Sequence, residues 1–118
     1  MSSEGAREGA GTLLHIAERR YWEEVRASGA PYAMSTRGRT LAEEGFVHCS
    51  SSEEQVAGVL SRFYADVPPA ELVLLVLDAA RLGAPVRHEA VGDGVFPHVY
   101  GPLPLEAVID VRPLPRSR

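Results

Sequence analysis

At 118 residues, with 45% hydrophobic side chains, the chain has the size of one domain and can bury a core of its own. The 12 Lys+Arg against 16 Asp+Glu leave a formal charge of −4, which argues against a broad cationic surface for nucleic acid and leaves room only for an RNA end in a local cleft. No apolar run is long enough to span a bilayer and no secretory signal opens the chain, so no membrane association and a cytoplasmic location are expected; the single cysteine excludes an internal disulfide and a thiolate-rich zinc site.

Residues 1–11 lack hydrophobic periodicity and read as a flexible tail before a single domain over 12–114. Residues 115–118 read as a second tail, with fraying expected from Pro113 onward. A first strand is predicted over 12–17, with Leu14 and Ile16 on one face and Leu13, His15 and Ala17 on the other. A helix follows over 18–28, Trp22 and Val25 turned inward and Gly29 ending it. Residues 30–40, rich in Pro, Ser, Thr, Gly and Arg, read as a loop carrying Tyr32, Met34 and the Arg37–Gly38–Arg39 cluster. A second strand over 45–49 feeds a second helix. Ser51 and Glu54 have capping-box spacing at its start, and Val56, Val59, Leu60 and Phe63 form its core stripe.

Pro68–Pro69 stops that helix. The continuous apolar run 72–77, ending at Asp78, predicts a strand covered on both faces. Residues 86–90 and 95–100 flank Gly92–Asp93–Gly94, a hairpin signal. Pro97 lacks a ladder donor, which predicts an edge strand or a bulge there. A last strand over 107–111 closes the sheet. Only the early elements alternate, so the fold class is α+β, with a split mixed or antiparallel sheet and two early helices.

Three histidines share one pattern. In Leu13-x-His15, Phe46-x-His48-x-Ser50 and Phe96-x-His98-x-Tyr100, the imidazole stands mid-strand. Period-2 geometry groups Phe46, His48 and Ser50 against Val47 and Cys49, and Phe96, His98 and Tyr100 against Val95 and Val99. Each histidine thus opposes the aliphatic side and is expected to face away from the core. If these faces meet, they form an aromatic-walled cleft with two or three imidazoles, suited to proton transfer near neutrality. The plain alternative is three hydrogen-bonded structural histidines.

No close His-x-His, His-x-x-x-His or His-Glu-x-x-His chelate is spelled out, so no metal ligand is assigned. A metal-dependent hydrolase or isomerase would need distant strands to converge, with Glu89 or Glu44 supplying oxygen. Cys49 points away from its neighbour His48 and reads as a buried cysteine rather than a nucleophile. Helix N-terminal N–H groups follow Ser50, but Glu53 and Glu54 already occupy that turn. Arg37–Gly38–Arg39 is the better anion candidate.

The stretches Glu44-Gly45-Phe46-Val47-His48-Cys49-Ser50 and Phe96-Pro97-His98-Val99-Tyr100-Gly101-Pro102-Leu103 resemble the domain of unknown function 952 family. Leu14-His15-Ile16, Trp22, Gly29, Tyr32, Gln55, Phe63–Tyr64, the strand ending at Asp78, Leu82 and Glu89 fit the same pattern, so the likeness covers about residues 13–114. More distantly, His15 and Val47-His48-Cys49-Ser50 resemble the ADP-ribosyltransferase-like fold, RNA 2′-phosphotransferases included. That resemblance implies a split-sheet cleft holding NAD, as substrate rather than cofactor, or a nucleotide-like ligand. It puts His15 on the nicotinamide-side ribose and Tyr32 or Tyr100 stacked on a ring. Transferases of this fold commonly place a catalytic Glu late in the sheet, for which Glu89 is the candidate.

The expectation is therefore an enzyme of the ADP-ribosyl transfer or hydrolysis class. His15, His48, His98 and Glu89 are its candidate catalytic residues; Tyr32, Phe46, Ser50, Phe96 and Tyr100 are the candidate ligand contacts. The competing expectation is a module that binds a small molecule without converting it.

Overall fold

The computed structural model describes residues 11–114; the expected tails, apart from Gly11, lie outside them. Strand β1 (Thr12–Glu18) leads into helix α1 (Arg19–Ser28). There Gly29 takes φ 80° and its N–H closes the last turn on the Val25 carbonyl, the left-handed cap for which glycine is suited. After the second predicted strand, α3 (Glu53–Phe63) packs Val56 and Val59 inward. Then come β5 (Leu72–Asp78), β6 (Val86–Val91), β7 (Gly94–Val99) and β8 (Val108–Pro113). Gly92 takes φ 60° in the two-residue turn between β6 and β7.

Every strand pairing among the described residues is antiparallel, which settles the mixed-or-antiparallel alternative. One three-stranded sheet has the order β1-β5-β8. Its even-numbered side chains (Leu14, Ile16, Leu74, Val76) pack under Val56 and Val59 of α3. Its odd-numbered ones (Leu13, Ala17, Val73, Leu75, Leu77) pack with Trp22, Val47, Val99 and Leu103. Burial on both faces is the reason β5 is an unbroken apolar run. The other three-stranded sheet, with β4 (Val47–His48) at one edge, has the order β4-β7-β6. The two sheets join where Leu14 and Ser50 exchange backbone hydrogen bonds of 2.9 and 2.7 Å.

Several expectations need correction. Residues 30–40 are not simply a loop. They hold β2 (Met34–Thr36) and β3 (Arg39–Thr40), a tight hairpin turned at Gly38, and Tyr32 is pinned to Leu103 by two backbone bonds. A third helix, α2 (Leu41–Glu44), follows, started by a capping box between Thr40 and Glu43. At α3 the cap is one residue later than predicted: Ser52 Oγ accepts from Gln55 N–H, and Gln55 Oε1 accepts from Ser51 N–H. Phe63 ends the predicted core stripe but is 51% exposed, because the helix terminates there beside a cavity.

Pro97 lies in the central strand β7, not at an edge. It faces β4 where that two-residue strand runs out, and its carbonyl still accepts from Cys49 N–H, so the missing donor breaks no long ladder. Pro113 does not fray either: it pairs with Val73, and Leu114 is buried in the core under α3. Among the described residues, no helix is long and apolar enough to cross a membrane.

Candidate functional site

Val47 of β4, Cys49 just beyond it and Val99 of β7 are buried in the core between the sheets. That leaves the opposite face to Phe46, His48, Phe96, His98 and Tyr100, joined across the ladder by Arg87 and Glu89 of β6. His48 and His98 are directly opposed, and Arg87 lies opposite His98 on the other side. The period-2 grouping holds; the expected exposure does not. His15 is 2% and His98 3% exposed, since β1 is covered on both faces and Phe46 stacks on His98 at 4.0 Å and 9°.

These side chains form one hydrogen-bonded chain. Tyr100 O–H donates to Glu89 Oε1 at 2.6 Å, and His98 Nδ1 meets the same oxygen at 2.7 Å. A carboxylate only accepts, so the His98 proton sits on Nδ1. His98 Nε2 then lies 3.2 Å from His48 Nδ1; in the tautomer where His98 Nε2 accepts, His48 Nδ1–H donates and His48 Nε2 is left as a lone pair. Burial, and secondarily His98 nearby, lowers the His48 pKa to about 4. The Tyr100 and His98 hydrogen bonds, in that order, hold the Glu89 carboxyl below its usual range.

His15 is arranged differently. Its Nδ1 donates to the His48 carbonyl at 2.7 Å, and its Nε2 accepts from Tyr32 O–H at 3.1 Å. Both nitrogens are engaged, and burial lowers its pKa to about 4. Tyr32 itself is 1% exposed, and burial pushes its phenol upward.

A cavity of about 390 Å³, within the range of small-ligand sites, opens beside this chain. Its polar wall carries His15, Ser35, Arg37, Glu44, His48, Ser50 and His98; Phe46, Val59, Phe63 and Val91 are apolar lining. Of the residues singled out in the sequence, His15, His48, His98, Phe46 and Ser50 thus line it. Glu89 reaches it through His98, Tyr100 through Glu89 and through its ring contact with Phe46, and Tyr32 through His15. Phe96 lines an adjoining hollow that shares His48, Val59, Phe63 and Val91 with the cavity.

Two buried side-chain polar atoms among the described residues have no hydrogen-bond partner, His48 Nε2 and Ser35 Oγ. Both belong to residues that line this cavity. An orphaned buried polar group costs about 1–3 kcal/mol, so two on residues lining one cavity make that cavity the candidate site. Ser35 carries no sequence signal of its own, because residues 30–40 have the composition of a loop. The Thr40-x-x-Glu43 capping box and Gly38 between β-compatible residues were the available signal.

The Arg37–Gly38–Arg39 cluster is not a free cationic loop. Arg37 makes a bidentate pair with Asp66 at 2.7 and 2.9 Å and also donates to the Phe63 carbonyl; Arg39 pairs with Glu44 at 2.8 Å. Cys49 is buried, and its thiol is pushed up by desolvation, as an inert cysteine should be. Among the described residues, no three His, Cys, Asp or Glu side chains are grouped to hold a metal ion.

The molecule is thus an α+β protein of antiparallel sheets with a histidine-lined cavity at the junction of its two main sheets. Residues 16–111 match the model described as protein of unknown function (DUF952), and the chain belongs to that family. It is similar to CC0527 from Caulobacter crescentus. In the crystal structure of that protein, 30% identity accompanies a TM-score of 0.68 over 88% of this chain and 86% of that one. The solution structure of CC0527 gives 28% identity and a TM-score of 0.66 over 87% and 84% of the two chains. No curated protein matches the sequence.

Proposed function

We propose that this chain is an enzyme that binds a nucleotide-like small molecule, NAD among the candidates, in the cavity beside His48. The observation that carries the reading is His48 Nε2, buried and unpartnered at the far end of the Glu89–His98–His48 chain, on a residue that lines the cavity. A histidine kept neutral stays in its proton-accepting form throughout the neutral range. Glu89, acting through His98, supports the positive charge that His48 gains, so His98 and Glu89 are positioning residues. For hydrolysis of a nicotinamide–ribose bond, water attacks the anomeric carbon, its proton passes to His48 Nε2, and the C–N bond electrons leave with neutral nicotinamide. The resemblance to the ADP-ribosyltransferase-like fold supports the same class, with His15 shaping the cavity wall rather than moving protons.

A second reading, binding without conversion, is favoured by one feature. Glu89 does not line the cavity and Glu44 is paired with Arg39, so no free carboxylate faces a cationic centre there.

The test is a ligand-detected screen against NAD, ADP-ribose, nicotinamide and related nucleotides, followed by product analysis. Saturable binding and turnover that disappear in a folded His48→Ala variant are expected. Saturable binding without product over long incubation selects the binding module; full activity in stable His48→Ala removes His48 from the chemistry; no nucleotide binding at all overturns the ligand class.

A further inference from the structure

The orphaned Ser35 hydroxyl is not explained by the acid–base reading. Ser35 is 0% exposed and sits where the β2–β3 register slips between Met34 and Thr36, an irregularity of the kind that re-aims a side chain next to a functional site. Its neighbour Met34 packs on the core, while Ser35 itself lines the cavity. An alanine there would avoid the buried unsatisfied hydroxyl altogether, so the oxygen serves no packing purpose.

The charges around the cavity are already spent. The Arg37 guanidinium is held by Asp66 and the Phe63 carbonyl. Glu44 is held by Arg39, and His15 and His48 are both kept uncharged near neutrality by burial. No uncompensated cation is available to neutralise an anion, and no uncompensated carboxylate to meet a cation. The buried polar atoms left without a partner are a hydroxyl that can donate and an imidazole nitrogen that can accept, in a cavity also lined by the hydroxyl residues Thr36, Ser50 and Tyr64 and by apolar Phe46, Val59 and Phe63.

We propose that Ser35 is a ligand-binding residue and that, with His48, it receives an uncharged polar group carrying both a donor and an acceptor, a carboxamide above all, on a ligand with a flat apolar body. A carboxamide N–H donates to His48 Nε2 while its carbonyl accepts from Ser35 O–H. A carboxylate has no proton for His48, and an amidinium has no acceptor for Ser35. The inference rests on the cavity being a ligand site; with the His48 Nε2 lone pair taken by the amide N–H it belongs to the binding reading rather than to the hydrolysis step, and it does not require the ligand to be a nucleotide.

The experiment titrates benzamide, benzoate and benzamidine, nearly isosteric but neutral, anionic and cationic, into the protein and into Ser35→Ala. The His48 ring resonances are followed by NMR, and thermal unfolding is measured in parallel. Benzamide should bind in the millimolar range expected of so small a probe, at least tenfold tighter than the two charged probes. Ser35→Ala should unfold at the same temperature or higher and lose at least tenfold in benzamide affinity. Equal binding of a charged probe, undiminished binding in Ser35→Ala, a lowered unfolding temperature in that variant, or no benzamide response at all would each overturn the assignment. Benzamide binding with no nucleotide binding would overturn only the nucleotide reading; the reverse would overturn only the role of Ser35.

Discussion

The β1-β5-β8 sheet and the β4-β7-β6 sheet share antiparallel pairing and almost nothing else. In the first, Leu72, Leu75 and Leu77 of the central strand are at most 1% exposed, and the one buried imidazole, His15, has a partner on each nitrogen. In the second, the central strand carries a proline and His98, and its neighbour His48 has a buried nitrogen with no partner. Fully covered apolar strands supply the stability that lets the other sheet hold buried polar groups in an arrangement that costs free energy.

That division of labour can be broken from either side. The largest effect belongs to Leu75→Ala, 0% exposed at the middle of β5, which should cost about 2–5 kcal/mol by urea unfolding. A loss below about 1 kcal/mol would mean that the first sheet is not the dominant scaffold. Acid comes next. His15 has a folded pKa of about 4 against 6.5 when exposed, so the unfolded chain takes up its proton first. Its contribution is therefore complete above pH 6.5, is lost progressively between 6.5 and about 4, and amounts to something on the order of 3 kcal/mol. His48 shifts the same way, whereas Glu89, lowered by Tyr100 and His98, adds loss only below the ordinary carboxylate range. A urea midpoint that stays flat from pH 7 to 5 would contradict the buried neutral histidines.

The smallest effect on stability should come from Glu89→Gln. It keeps an oxygen for His98 and Tyr100 on a half-exposed strand position and should change stability by less than about 0.5 kcal/mol. The His98 ring ¹⁵N shifts should nonetheless move, since the negative charge on the acceptor of its Nδ1–H bond is gone. An unchanged His98 spectrum would show that the Glu89 charge does not act on the chain of imidazoles.

Much of this arrangement was legible from residues alone. Alternation put Phe46, His48 and Ser50 on one face and Phe96, His98 and Tyr100 on another, because strand side chains obey a period of two whatever surrounds them. The unbroken run from Leu72 to Leu77 announced two covered faces, and Gly92–Asp93 announced the hairpin. The Ser35 position was not legible: a three-residue strand against a two-residue strand has too short a pattern to stand out from turn composition.

Local chemistry therefore determined the elements, their faces and which residue types could carry protons, because dihedral preference and side-chain alternation act between near neighbours. Tertiary structure alone decided that His15 is satisfied while His48 is not, that Arg37 is neutralised by Asp66 across 29 positions, and that Ser35 is sealed beside a cavity. Those outcomes depend on which distant groups burial brings within hydrogen-bond reach, and burial is a property of the whole packed chain.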